Sequence, residues 1–145
     1  MKKVLLFSTL LIAIVLTGCS SKDVKVLDCN QSLTASGYTQ DINVHAEYEG
    51  DNIVYYSLRY DMDLSSVSES ELSQFNNQDM CALVKANMSA HSNAITNCKH
   101  KIENKHLILT ADYDLDILLS EATKKVTIDE LKVQLENQRY SCIIK

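Results

Sequence analysis

An alternation of apolar and polar residues marks the first hairpin of the chain. Residues 42–48 and 53–62 each alternate with a period of two, and the polar turn between them contains Gly50. Two such runs around a short glycine-containing turn predict a β-hairpin. Strict alternation places one set of side chains of the second strand on the core side: Val54, Tyr56, Leu58, Tyr60 and Met62.

A second hairpin is predicted further along the chain. Residues 95–102 and 106–113 flank a polar turn in which Asn104 and Lys105 stand at the centre. A two-residue turn fixes the register of the strands that it joins. This register pairs Cys98 with Ala111, His100 with Leu109 and Ile102 with Leu107, so Cys98 lies on the apolar face and His100 and His106 point to opposite faces.

Helix signals separate and follow the hairpins. Ser68 with Glu71, and Thr127 with Glu130, have the spacing of a capping box. Apolar residues at helical spacing follow each box, and the first helix region is interrupted by polar residues, which indicates either one helix or two short ones. Residues 116–123 form a further short helical pattern.

Short strands are predicted at both ends of the domain, over residues 24–29 and 140–144. The order of elements then predicts an α+β fold. We expect a mostly antiparallel sheet, built from two hairpins plus the terminal strands, with two or three helices on one face.

The first residues of the chain have the layout of a bacterial lipoprotein signal. Lys2 and Lys3 precede an apolar run over residues 4–16, which is too short for a membrane-spanning helix, and Leu-Thr-Gly-Cys ends at Cys19. We expect cleavage before Cys19 and a diacylglycerol with further acyl chains, such as palmitate, on this residue. The alternative is a buried N-terminal helix, but the run has no polar face with which to lie at a surface.

Processing at that site defines the organisation of the chain. Residues 1–18 are the signal peptide, residues 19–23 the lipidated cysteine and a short tether, and residues 24–145 a single domain. Cleavage removes two lysines, so 12 basic residues stand against 19 acidic ones and the formal charge falls from −5 to −7. This acidity argues against nucleic-acid binding. It also indicates that lipid, rather than a basic patch, holds the protein at the extracytoplasmic face of the cell membrane.

Four cysteines remain after lipidation. An even number in an exported chain favours two disulfides. Sequence alone allows three connectivities, of which we favour Cys29–Cys142 and Cys81–Cys98. The first would join the opening strand to the closing strand, and the second a helix to the strand after it. The competing interpretation, a zinc site, lacks the short C-x₂-C spacing typical of such sites.

Acidic residues at two strand ends are the candidates for other chemistry. Asp61 and Asp63 end one strand, and Asp112 and Asp114 end another. If these ends lay side by side, the four carboxylates would form a weak site for a divalent cation. The alternative is that they are solvated strand ends. No motif identifies catalytic residues, a cofactor or a resident metal.

The chain from Val24 to Lys145 resembles the YehR-like family of small bacterial lipoproteins. The resemblance rests on the early cysteine, on residues 48–53 (Tyr-Glu-Gly-Asp-Asn-Ile), and on the segments at 110–114 and 135–140. Cys81, Cys98 and Arg139 depart from the family pattern. The resemblance implies the fold and the anchor, but no catalytic residues, because the family has no established activity.

These features predict a lipid-anchored, non-enzymatic domain that binds a protein or a small ligand at the cell surface. One alternative is a metal-binding or enzymatic domain that uses Asp61, Asp63, Asp112 and Asp114. Another is a structural domain that only shields or spaces the envelope.

Overall fold

The computed structural model describes residues 23–35, 37–87, 92–120 and 125–145. Within these ranges six antiparallel strands form one sheet, and the helices pack on one of its faces, which is the predicted α+β class. The strands are β1 Val24–Ala35, β2 Tyr38–Glu49, β3 Asn52–Asp63, β4 Ile95–Glu103, β5 His106–Tyr113 and β6 Ser141–Ile144. The helices are α1 Glu69–Asn77, α2 Met80–Asn87, α3 Leu115–Leu118 and α4 Ile128–Asn137, with a 3₁₀ turn at Ser92–Ala94.

The sheet has the strand order β4-β5-β3-β2-β1-β6. Neighbours in the chain form three of the five pairings, and the β3–β5 and β1–β6 pairs join distant segments. The two terminal strands therefore lie side by side, with Cys29 opposite Cys142.

The hairpin of β1 and β2 is longer than the sequence pattern indicates. The prediction ended the first strand at residue 29, whereas β1 pairs with β2 without a break from Val24↔Glu49 to Ala35↔Tyr38. Gly37 follows β1 with φ +85°, a left-handed conformation that glycine adopts without steric cost. This turn makes a third hairpin, which the weak alternation of residues 30–41 does not reveal.

The predicted alternation places Val54, near the beginning of β3, on the wrong face of the sheet. Tyr48 pairs with Ile53 and Glu47 pairs with Tyr55, so Val54 is an extra residue on β3. Such a bulge shifts the alternation by one residue. Ile53 consequently packs against the core, and Val54 is 42% exposed rather than buried.

The hairpin of β4 and β5 has the predicted register. Cys98 pairs with Ala111, and Asn104 and Lys105 have φ values of +51° and +61°. Positive φ at both central residues is the geometry of a type I′ turn, whose twist matches that of the strands. The turn therefore explains why sequence alone gives this pairing correctly.

Both predicted capping boxes are present. The Ser68 side chain accepts from the Glu71 amide while the Glu71 carboxylate accepts from the Ser68 amide, and Thr127 and Glu130 do the same at α4. The first helical region is two helices, α1 and α2. With α3 and α4, the described residues contain four helices. Of the predicted helix over residues 116–123, α3 includes residues 116–118, and residues 121–123 lie outside the described ranges.

The core lies between the helices and one face of the sheet. Leu27, Cys29, Val44, Ala46 and Tyr48 are almost completely buried there, and Leu135 of α4 covers them. The structure contains the disulfides Cys29–Cys142 and Cys81–Cys98, the pairing favoured by the sequence. The first ties β1 to β6 and the second ties α2 to β4.

Candidate functional site

The second face of the sheet is not packed against any helix that the structure describes. We call it the open face. A row of side chains crosses it because pairing places them level on successive strands: Asp28 beside His45, His45 beside Ser57, and Ser57 beside Asp112, with Asn97 at the end. This row brings together polar groups from five strands.

His45 lies between two carboxylates in this row. Its Nδ1 is 2.6 Å from Oδ1 of Asp28, and its Nε2 is 3.3 Å from Oε1 of Glu47. The ammonium of Lys145 donates to the other Asp28 oxygen at 2.9 Å. The arrangement connects β6, β1 and β2 through side chains as well as through backbone hydrogen bonds.

These contacts change the proton affinities of the cluster. Burial lowers the pKa of His45, but the hydrogen bonds with Asp28 and Glu47 outweigh burial, so the pKa is raised. The hydrogen bond from Lys145 lowers the pKa of Asp28, and His45 lowers it further against the opposing effect of burial. Both shifts favour an ionised carboxylate that faces an imidazolium.

Tyr55 stands beside this cluster on the open face. Its hydroxyl donates to Oδ1 of Asp112 at 2.6 Å, and Asn97 donates to Oδ2 of the same carboxylate at 2.9 Å. Its ring meets the His45 ring edge-on, with the centroids 5.9 Å apart. The hydrogen bond to Asp112 raises the pKa of Tyr55. A tyrosine that is 37% exposed and fixed at both ends offers a rigid contact surface.

A third group lies towards the other end of the open face. Asp61 accepts from Arg59 at 3.2 Å and lies 2.8 Å from Nδ1 of His106. The Arg59 and His106 side chains are about half exposed. We therefore attribute little stability to them, because solvent screens exposed ion pairs.

The predicted four-carboxylate cluster is not formed. Strands β3 and β5 run antiparallel, so Asp61 and Asp63 lie beside the beginning of β5, whereas Asp112 and Asp114 lie at its end. Asp63 accepts from the Ser65 amide, and Asp114 caps α3. The premise that the two strand ends lie side by side is therefore wrong.

The described histidines are divided between the faces as predicted. His45 and His106 lie on the open face, whereas His100 lies on the face covered by helices, opposite Leu109. His91 falls outside the described residues.

On the helix side, a groove opens between α2 and the sheet. It encloses about 390 Å³, which is at the lower end of the range for small-ligand pockets. Its walls are mostly apolar, and Gln40 and Tyr60 are the two lining residues with polar groups in their side chains. The lining residues are Gln40, Tyr60, Met62, Met80, Leu83, Val84, Leu107 and Leu109.

Cys19, the predicted lipidation site, lies outside the described residues. Among the residues that are described, no helix is both long enough and apolar enough to cross a membrane. Comparison with protein-family models, with curated proteins and with solved structures found no match for this chain. The resemblance to YehR-like lipoproteins therefore stays a prediction.

The sequence interpretation missed the His45 cluster. The alternation along β2 places His45 and Glu47 on the polar side, but the position of Asp28 depends on the register of β1 against β2. That register is fixed by the turn at Gly37, which the pattern did not reveal.

Proposed function

We propose that this protein is a lipoprotein, anchored through Cys19 at the extracytoplasmic face of the cell membrane, whose domain is a non-enzymatic binding module. We further propose that the open face is its binding surface. The observation that carries this proposal is a row of fixed polar side chains across a sheet face that no described helix covers.

The dimensions of the open face suit a protein partner. Six strands with five spacings of about 4.8 Å make the sheet about 24 Å wide, and its longest strands run about 40 Å. This area is comparable to the roughly 800 Å² that each partner contributes to a standard protein interface. A flat surface of this kind is less suited to a small molecule, which needs a concave site.

The chemistry of the row supports binding rather than catalysis. Both ring nitrogens of His45 face carboxylates, so the ring has no free nitrogen to act as a base towards a substrate. Both carboxylate oxygens of Asp112 accept hydrogen bonds from Tyr55 and Asn97. Side chains held in this way are preorganised for contact, which lowers the entropy lost on association.

Position-specific photo-crosslinking in intact cells tests the proposal. A photo-crosslinking amino acid in place of Thr110 on β5 or Lys99 on the edge strand β4 lies on the open face, and the same substitution at Ser73 or Gln134 places it on exposed helix positions as matched controls. We expect one discrete adduct from the open-face positions alone. Equal adducts from the helix positions, or none from the open face, would contradict the proposal.

The groove beneath α2 supports a second candidate, a small apolar ligand. The Tyr60 hydroxyl and the Gln40 amide could hold one polar end of such a ligand while Met62, Met80 and Leu83 contact the rest. Long-chain fatty acids would then raise the melting temperature of the wild-type protein but not that of Leu83→Arg, which places a charge in the groove. An equal response of both proteins would exclude this site.

The metal-binding alternative would have to use two separate pairs of carboxylates. Calorimetric titration with calcium, magnesium and manganese tests it directly. Heat that is abolished by Asp61→Asn with Asp63→Asn, or by Asp112→Asn with Asp114→Asn, would support a divalent-cation site, and no heat at millimolar metal would end this alternative.

A further inference from the structure

Three side chains of metal-binding type meet beside the Cys81–Cys98 disulfide. A carboxylate oxygen of Asp79, Sγ of Cys81 and a ring nitrogen of His100 all lie within 4.8 Å of one another. Sγ of Cys98 adjoins the same group because it is bonded to Cys81. One carboxylate donor and one imidazole donor thus lie next to two sulfur atoms.

The fold explains why these four residues converge. Asp79 precedes α2 and accepts from the amide of Ala82 at 3.0 Å, so its carboxylate is held at the beginning of the helix where Cys81 also lies. On β4, Cys98 and His100 are two residues apart and therefore share one face of the sheet. The disulfide places the helix pair directly over the strand pair.

The oxidation state of the cysteines decides what this cluster can bind. In the disulfide the two sulfur atoms are bonded to each other and cannot act as thiolate ligands. Reduction would give two thiols, and the donor set would become two sulfurs, one imidazole and one carboxylate. Thiolate, imidazole and carboxylate are the three side-chain ligand types of zinc, and four ligands complete a tetrahedral site.

The spacing of the ligand atoms is compatible with such a site. Zinc lies about 2.3 Å from sulfur and about 2.0–2.2 Å from nitrogen or oxygen, so ligand atoms across a tetrahedral site are about 3.3–3.8 Å apart. The ligand atoms of Asp79, Cys81 and His100 lie within 4.8 Å of one another and reach these separations by movements of about 1 Å or less each, and the two sulfur atoms move apart once their bond is broken. The chain has no C-x₂-C pair, but it contains two other closely spaced ligand pairs, Asp79-x-Cys81 and Cys98-x-His100.

We propose that reduction of the Cys81–Cys98 disulfide converts this cluster into a zinc site with Asp79, Cys81, Cys98 and His100 as ligands. A dithiol reductant breaks the S–S bond, supplies two electrons and two protons to the sulfurs, and is itself oxidised to a disulfide. Zn²⁺ then binds both sulfurs as thiolates and displaces their two protons. A disulfide oxidant takes two electrons from the two thiolates and is itself reduced to a dithiol; the Cys81–Cys98 bond forms again and Zn²⁺ is released, so metal binding depends on the ratio of dithiol to disulfide around the protein.

Cobalt substitution tests the proposal on the full chain in detergent micelles. Co²⁺ is titrated into the oxidised protein and into protein reduced with a phosphine. We expect a thiolate-to-cobalt charge-transfer band and the visible spectrum of tetrahedral Co²⁺ at one equivalent, in the reduced protein alone, and loss of both when Zn²⁺ is added. The absence of the charge-transfer band after reduction would overturn the proposal, and circular dichroism establishes whether the reduced protein is folded. A reduced protein that unfolds and binds no metal would overturn it equally, because the site requires the folded arrangement.

Variants separate this site from other thiols of the chain. Cys81→Ser with Cys98→Ser retains Cys29 and Cys142, and the same cobalt band in this variant would show that those residues bind the metal instead. We expect His100→Asn to weaken zinc binding at least about tenfold, since even the loss of a partner outside the ligand shell costs that much. His106→Asn on the open face is the matched control and should leave the affinity unchanged.

Discussion

Removal of the Cys29–Cys142 disulfide should destabilise the protein more than removal of Cys81–Cys98. The first bridge joins residues 113 apart in sequence and the second joins residues 17 apart. Chain-entropy arithmetic for closed loops gives roughly 5 kcal/mol for the longer loop and roughly 3 kcal/mol for the shorter one. A domain of this size has about 5–15 kcal/mol in total, so loss of the first bridge removes a large part of its stability.

The local packing increases this difference. Cys29 is completely buried, whereas Cys81 and Cys98 are only partly buried. The change of Cys29 to alanine therefore also leaves a small cavity, which costs on the order of 1 kcal/mol. We expect Cys29→Ala with Cys142→Ala to lose about 2–3 kcal/mol more than Cys81→Ala with Cys98→Ala.

Equilibrium unfolding in guanidinium chloride, without reductant, measures both double variants against the wild-type protein. Equal slopes of the transitions would show that the free energies of unfolding can be compared directly. An equal loss in the two variants, or a greater loss in the Cys81 and Cys98 variant, would refute the reasoning from loop length.

Three further predictions concern the His45 cluster, a helix cap and a turn. Because the pKa of His45 is raised in the folded state, the stability that His45 contributes is complete below its unfolded pKa and is lost as the pH rises through its folded pKa. The pKa of Asp28 is lowered, so the stability that Asp28 contributes is lost as the pH falls through its folded pKa. Melting temperatures of wild type measured from mildly acidic to alkaline pH should therefore fall more steeply than those of His45→Asn, and parallel curves would contradict this. Thr127→Ala should cost about 1 kcal/mol in chemical unfolding because it removes the cap that the Glu130 amide donates to, and no change would show that the cap is not needed. Lys105→Gly should stabilise the protein by about 0.5 kcal/mol. Glycine avoids the steric cost of φ +61°, and this gain exceeds the additional entropy that glycine loses on folding. A destabilised variant would contradict this account.

The parts of the fold that the sequence predicts correctly are those determined by local chemistry. The turn at Asn104 and Lys105 determines the register of β4 and β5 as far as Asn97, beyond which a bulge shifts the pairing of Ile95, and each capping box marks the residue at which a helix begins. Such signals depend on neighbours within a few positions along the chain, so a pattern can reveal them.

The parts that the sequence does not predict depend on distant pairing. Nothing near Asp28 indicates that it lies beside His45, because their contact requires the register of β1 and β2. The bulge that exposes Val54 requires a mismatch of one residue between β2 and β3. The sequence therefore indicates that the residues of the open face are polar, but it does not indicate that they lie together.

The cysteines were predicted correctly in their pairing, but their neighbours were not. The even number of cysteines and their expected faces favoured the pairs that the structure contains. Metal binding and disulfide formation are alternatives in the sequence interpretation. Because Asp79 and His100 lie beside Cys81, the same cysteines can form the disulfide when oxidised and, as proposed above, bind a metal when reduced.

The intact mass of the protein purified from the membrane fraction tests the central claim, a cystine-tied domain anchored through Cys19, most directly. We predict a chain that lacks residues 1–18, carries a diacylglyceryl group and a fatty acyl chain on Cys19, and shows two disulfides by its increase in mass on reduction. A chain of all 145 residues with an unmodified Cys19 would contradict the account.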